Sequence, residues 1–126
     1  MTLVHDFNPS ERIIIDSARL EEVFRRLGDR GAEAYVMEAV EAISGLLAEV
    51  DGFVRNNQLA EIPPRAQQVS RISAEIGMTS LARVSRDIGI AAARDDVVAY
   101  RAVWERLVRI GNRSLSQVWE LPGLSI

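Results

Sequence analysis

Residues Ile62 to Met78 read I-P-P-R-A-Q-Q-V-S-R-I-S-A-E-I-G-M, and the other predicted helices are arranged around this segment. On a helix that turns by about 100° per residue, its apolar and small residues fall on one arc centred near Val69. These residues are Ile62, Ala66, Val69, Ile72, Ser73 and Ile76. This period predicts a helix with one side in a hydrophobic core. Pro63 and Pro64 suit its first turn, because the N–H groups there have no intrahelical acceptor.

A second stripe of residues occupies the opposite side of the same helix. Its members recur at positions i, i+3, i+4, i+7 and i+11, and they are Gln67, Ser70, Arg71, Ala74 and Met78. Since the first side packs in the core, this second stripe is predicted to face solvent or a partner protein, with Gln67 near its centre.

Two helices are predicted before this stretch. Asp16 is a suitable N-cap for a short helix, which Gly28 would end in a left-handed conformation. From Gly31 to Val54 the apolar residues keep a period of about 3.6 residues, and the charged residues lie off that stripe. The sequence Asn56-Asn57-Gln58 is then expected to end the long helix.

Two further helices are predicted after it. Gly77 marks a break, Thr79 is suited to cap the next helix, and an apolar stripe continues until Arg94. That stripe consists of Leu81, Val84, Ile88, Ala91 and Ala92. The last helix is predicted to begin near Val97 and to be ended by the Pro122-Gly123 pair.

The predicted fold class is all-α, an antiparallel up-and-down four-helix bundle preceded by a short N-terminal helix. No segment shows the strict alternation of a strand. The 126 residues are predicted to form a single domain, 1–126, which is long enough to bury a hydrophobic core. Residues 1–15 are interpreted as an N-terminal arm, in which the run from Ile13 to Ile15 covers one end of the core.

Composition argues against several functions. The chain has no cysteine, which excludes disulfides, thiolate metal sites and a cysteine nucleophile. All 15 basic residues are arginines, they are mixed with 18 acids, and the net charge is −3, so nucleic-acid binding is not expected. Neither a signal peptide nor a membrane span is expected, and the expected location is the cytoplasm. No metal-spaced ligand set or phosphate-binding loop is present in the sequence, so neither metal nor cofactor is expected.

The sequence A-Q-Q-V-S-R at positions 66–71, followed by Gly77, resembles the signature of histidine-containing phosphotransfer (HPt) domains. In that family the signature runs Ala-His-x-Leu-Lys-Gly and then Gly. Further similarity lies in D-x-x-x-L at 16–20, in Leu27-Gly28 and in the helix at 81–88, so that the resemblance extends over roughly Ile15 to Leu121. It implies the family's four-helix bundle. The partners that it implies are response-regulator receiver domains or histidine kinases.

Three positions of this signature depart from the family pattern. Gln67 stands where the phosphorylated histidine belongs, Ser70 where the lysine belongs, and Arg71 where a small glycine belongs. A glutamine amide is no nucleophile, because its nitrogen lone pair is delocalised, whereas a neutral imidazole could attack an aspartyl phosphate. Arg71 is bulky, yet it could bind a carboxylate or phosphate. No catalytic residue is therefore assigned, and enzymatic activity is not favoured.

The resulting hypothesis is a non-phosphorylatable docking or regulatory partner in two-component phosphorelay signalling. Its partner-binding residues would be those of the second stripe, Gln67, Ser70, Arg71, Ala74 and Met78. The alternative is a helical interaction or dimerisation module with no phosphorelay role, since a fold does not determine a function. The stripe could also be a solvated helix face.

Three other features of the sequence are interpreted without a functional role. His5, the single histidine, is interpreted as a chance terminal residue, because a mobile arm does not hold a nucleophile in line with a phosphoryl donor. Trp104 and Trp119 are interpreted as packing residues. Asp95 and Asp96 precede the last helix, where carboxylates are favoured by the exposed N–H groups, so capping is preferred to acid–base or metal chemistry.

Overall fold

The computed structural model describes residues 12–118, and every regular element in that range is helical. The elements are α1 (Ser17–Arg55), a 3₁₀ turn (Leu59–Glu61), α2 (Ile62–Glu75), α3 (Thr79–Ala93) and α4 (Val97–Val118). Four helices pack against each other, and the most extensive packing is between helices that are consecutive in the chain. The all-α prediction is confirmed for this part of the chain.

Helix α1 is divided at Gly28, where φ is 75° and ψ is 168°. The backbone leaves the helical conformation there, which confirms the predicted end of the short first helix. The long helix follows directly, with no linker, so α1 comprises a short segment, 17–27, and a long segment, 29–55. Asp16 caps the short segment, because its carboxylate accepts a hydrogen bond of 3.1 Å from the Arg19 N–H.

The core side predicted for α2 is buried. Ile62, Ala66, Val69, Ser73 and Ile76 have relative exposures of 2% or less, and Ile72 packs half-buried against them. Pro63 and Pro64 lie in the first turn, where a backbone N–H group would have no intrahelical acceptor, so the lack of one in proline is tolerated. The period of the sequence therefore fixes how this helix is rotated about its own axis.

The turn between α2 and α3 holds the end of the N-terminal arm. The Asp16 N–H donates to the Gly77 carbonyl oxygen at 2.7 Å, and the Ser80 N–H donates to the Ile14 carbonyl oxygen at 3.2 Å. Gly77 has φ of 77°, and a Cβ built on it would lie 2.6 Å from the Asp16 carbonyl oxygen. Glycine is thus required here both for its positive φ and for the space that the arm occupies.

Three predictions about this end of the molecule have different outcomes. Ile13 and Ile15 pack against the core, which confirms that the arm covers one end of it. Thr79 does not cap α3, so that prediction is wrong: the helix begins at Thr79, and Met78 occupies the N-cap position without a side-chain hydrogen bond. His5 lies outside the described residues.

Helices α3 and α4 complete the core. The predicted stripe of α3 is buried, and so are Tyr100, Leu107, Ile110 and Val118 of α4. Trp104 packs half-buried against the core, as predicted. The Asp96 carboxylate accepts a hydrogen bond of 3.0 Å from the Ala99 N–H, which confirms its capping role. Trp119 and the predicted helix end at Pro122-Gly123 lie outside the described residues.

Candidate functional site

An open groove of about 810 Å³ runs between α2 and α3. Helix α2 lines it with Pro63, Pro64, Gln67, Gln68, Ser70 and Arg71, and α3 lines it with Ser85, Arg86, Gly89, Ile90 and Ala93. The two helices lie close together beneath it, since a Cβ built on Gly89 would come within 3.4 Å of the Ala66 Cβ. This feature is called the α2/α3 groove below.

Three of the five predicted partner-binding residues are exposed on α2. Gln67 and Arg71 are exposed and line the groove, and Ala74 is exposed on the same helix without lining it. Ser70 lines the groove but is only half-exposed, and its hydroxyl donates a hydrogen bond of 2.8 Å to the Ala82 carbonyl oxygen of α3. Ser70 therefore joins the two helices, a role that its position on the stripe does not indicate.

The fifth predicted residue, Met78, is not on the exposed stripe. It is fully buried, with 0% of its surface accessible, and it belongs to the hydrophobic core. The physical reason is that α2 ends at Glu75 and the chain turns at Gly77, so extending the helical period to Met78 fails. Its assignment as an exposed partner-binding residue was wrong.

Arg71 is engaged within the molecule. Its guanidinium lies 3.3 Å from a carboxylate oxygen of Glu75, one turn further along α2. The other carboxylate oxygen of Glu75 accepts a hydrogen bond of 3.1 Å from the Tyr35 hydroxyl, and the Glu75 carbonyl oxygen accepts one of 3.0 Å from Arg19. Glu75 therefore links the groove to both segments of α1.

The pKa of the Tyr35 hydroxyl is affected by its contact with Glu75. Burial, and then the hydrogen bond to Glu75 and the negative charge of Glu75, raise the pKa of Tyr35 above its ordinary value of 10.0. All three causes favour the neutral phenol over the phenolate. The Tyr35 hydroxyl therefore keeps the proton that it donates to Glu75 at neutral pH.

Arg86 is a residue of the groove that the sequence reasoning missed. It is exposed on α3, and no carboxylate among residues 12–118 forms an ion pair with it. Arg86, Gly89, Ile90 and Ala93 recur at i, i+3, i+4 and i+7, off the buried stripe of α3. That spacing indicates a second face of α3, but it could not show that this face adjoins Gln67.

The described lining of the groove is polar and cationic, and no imidazole or carboxylate in it could act as a base for its two serines. Its charged members are Arg71 and Arg86, and its amides are Gln67 and Gln68, whereas the described lining residues include no imidazole, thiol or carboxylate. Ser85 also lines it, and its hydroxyl oxygen is buried and has no hydrogen-bond partner among the described residues. The lining thus offers hydrogen-bond donors and positive charge to an anionic surface.

These features define a class: an all-helical protein with a basic, amide-bearing groove between two of its helices. Compared with protein-family models, curated proteins and solved structures, the chain has no significant match. Within residues 12–118 no helix has the length and apolar character needed to cross a bilayer. The same residues contain no cluster of three or more side chains that could hold a metal ion.

Proposed function

We propose that this chain is an HPt-like docking protein of two-component signalling that binds a receiver domain without accepting phosphate. The observation that carries the proposal is the position of Gln67, which is exposed and lines the groove. The register of A-Q-Q-V-S-R places this residue where HPt domains have their phosphorylated histidine. An all-helical fold of four packed helices supports the same reading.

The Gln67 side chain is suited to docking but not to phosphoryl transfer. The Gln67 amide can donate and accept hydrogen bonds, but it cannot take up a phosphoryl group as an imidazole does. A protein that occupies the docking face of a receiver without relaying phosphate would compete with active phosphotransfer proteins for that receiver. The expected role is therefore regulatory, in the cytoplasm, where receivers and kinases meet.

Direct binding tests this proposal. The full chain is titrated by biolayer interferometry against each purified receiver domain of the source proteome. We expect at least one receiver to bind. The variant Ala74→Trp should weaken that binding, because it adds a bulky side chain to the exposed stripe of α2 that contains Gln67. Ala48→Trp is the matched control, because Ala48 is equally an exposed helical alanine but lies on α1. Absence of binding to every receiver, or equal weakening by both variants, would contradict the proposal.

A second candidate function, self-association of a helical module, is favoured by the exposed start of α4. Val98 is 82% exposed and Val97 is 49% exposed there. Exposed apolar side chains next to each other can mark a contact surface between proteins. Sedimentation velocity over a range of concentrations tests this: a dimer that Val98→Asp abolishes supports self-association, and a monomer at all concentrations removes it.

A further inference from the structure

We infer that the α2/α3 groove distinguishes the state of its partner, binding a receiver that carries an aspartyl phosphate more tightly than the same receiver without it. This inference rests on the proposed function, since it concerns the partner of the same groove. It makes the protein a reader of phosphorylation, where an active HPt protein would be an acceptor of the phosphoryl group.

The first argument is charge complementarity. Both charged residues of the lining, Arg71 and Arg86, are cationic. Phosphorylation of the receiver replaces a carboxylate by a group of nearly two negative charges with three strong acceptor oxygens. Planar guanidinium groups bind such oxygens in pairs, and these charge-assisted hydrogen bonds are stronger than those between neutral groups. The groove is therefore suited to the phosphorylated form.

The two arginines of the groove differ in their partners within the protein. Arg71 is already paired with Glu75, so binding an external anion would require it to exchange one partner for another. Arg86 has no carboxylate partner among the described residues, so it can bind an anion without that loss. Arg86 is consequently assigned as the anchor for the phosphoryl group, with Arg71 as a secondary contact.

Neutral hydrogen-bond donors also lie along the groove. The Gln67 and Gln68 amides are exposed along the groove and can donate to phosphoryl oxygens. Ser85 also lines the groove, but its hydroxyl oxygen is buried, so it could donate to a phosphoryl oxygen only after a movement of its side chain. A serine hydroxyl needs a base to attack phosphorus, and the described lining contains no imidazole or carboxylate, so the phosphoryl group would be held on the receiver without being transferred.

The test uses a receiver identified by the binding screen and titrates it with the full chain by calorimetry, with and without beryllofluoride as the phosphoryl mimic. We expect the mimic to increase affinity by about 10- to 100-fold, as a charged hydrogen-bonded contact would. Arg86→Gln should bring the ratio of the two affinities close to one. Arg94→Gln, also an exposed arginine of α3's C-terminal region but outside the groove lining, should leave the ratio unchanged.

The outcomes separate the inference from the proposed function. Equal affinity for the two receiver states overturns the inference while docking stands, whereas absence of binding to either state overturns both. A ratio that Arg86→Gln leaves unchanged in a folded variant, checked by circular dichroism, overturns the assignment of Arg86. As a second readout, the receiver's aspartyl phosphate should decay more slowly with the natural chain than with Arg86→Gln. Equal or faster decay with the natural chain contradicts a groove that holds the phosphoryl group.

Discussion

The substitutions Gln67→His, Ser70→Lys and Arg71→Gly, made together, would rebuild on α2 the reactive face that the HPt resemblance implies. The variant would present a neutral imidazole beside an ammonium group, in the α2/α3 groove. We expect it to accept phosphate from a phosphorylated receiver, at least slowly, where the natural chain does not. The prediction depends on the fold surviving, so the loss of stability has to be worked out first.

The structure sets the size of that loss. Ser70→Lys removes the half-buried hydrogen bond of 2.8 Å to the Ala82 carbonyl oxygen, which contributes about 0.5–1.5 kcal/mol. Arg71→Gly removes an exposed ion pair with Glu75, which contributes about 0.3–0.5 kcal/mol, and puts glycine in a helix interior, which costs roughly 1 kcal/mol. Gln67→His is an exposed change of about 0.5 kcal/mol or less. The free energy of unfolding should therefore fall by about 2–3.5 kcal/mol.

Urea denaturation measures the stability, and transfer of labelled phosphate from a phosphorylated receiver measures the activity. The control carries Gln68→His with the same two companion substitutions, because Gln68 is also exposed and lines the groove but lies about 100° further round the helix. Phosphate acceptance by the Gln68 version alone would show that the register is shifted by one residue. If both versions stay folded and neither accepts phosphate, the reasoning from the HPt resemblance is refuted.

Three further predictions concern phosphate acceptance by the natural chain, the turn at Gly77 and the Tyr35–Glu75 contact. The natural chain, incubated with an active kinase or a phosphorylated receiver, should acquire no acid-labile phosphate; stoichiometric labelling that His5→Ala abolished would instead identify the arm as a phosphoacceptor. Gly77→Ala should lower the free energy of unfolding by about 2–4 kcal/mol, because positive φ costs about 1–2 kcal/mol and the new Cβ displaces a backbone oxygen 2.6 Å away. Gly28→Ala is the control for backbone strain without a clash: its φ of 75° and ψ of 168° lie in a region that is essentially restricted to glycine, so it should cost about 1–3 kcal/mol, with no atom within 4 Å of the new Cβ. A smaller loss for Gly77→Ala than for Gly28→Ala in denaturation curves would contradict the packing of the arm on the turn. Tyr35 should titrate above its ordinary pKa of 10.0 in a spectroscopic titration, and Glu75→Gln should lower that pKa; an unchanged pKa in this variant would contradict the contact. Since the pKa of Tyr35 is raised in the folded state, its contribution to the free energy of unfolding is present below pH 10.0 and is lost as the pH rises through the folded-state pKa.

Much of the fold follows from local features of the sequence. The core side of α2, the cap at Asp16 and the breaks at Gly28 and Gly77 are each produced by residues within a few positions of one another. A helical period fixes which side chains share a face, and a glycine or capping residue fixes where the helix ends. These predictions needed no knowledge of the neighbouring helices. Gln67 could be placed on the exposed side for the same reason.

The composition of the site was decided by contacts that are distant in the chain. Arg86 lines the groove with Gln67, and Ser70 bonds to the Ala82 carbonyl oxygen, only because α3 folds back beside α2. Tyr35 reaches Glu75 from a position 40 residues earlier in the chain. Met78 is buried because the positive φ of Gly77 turns the chain into the core. The helical period of each segment predicts which of its faces is buried, but it contains no information about the neighbouring helix, so the pairing of faces is known only from the folded chain.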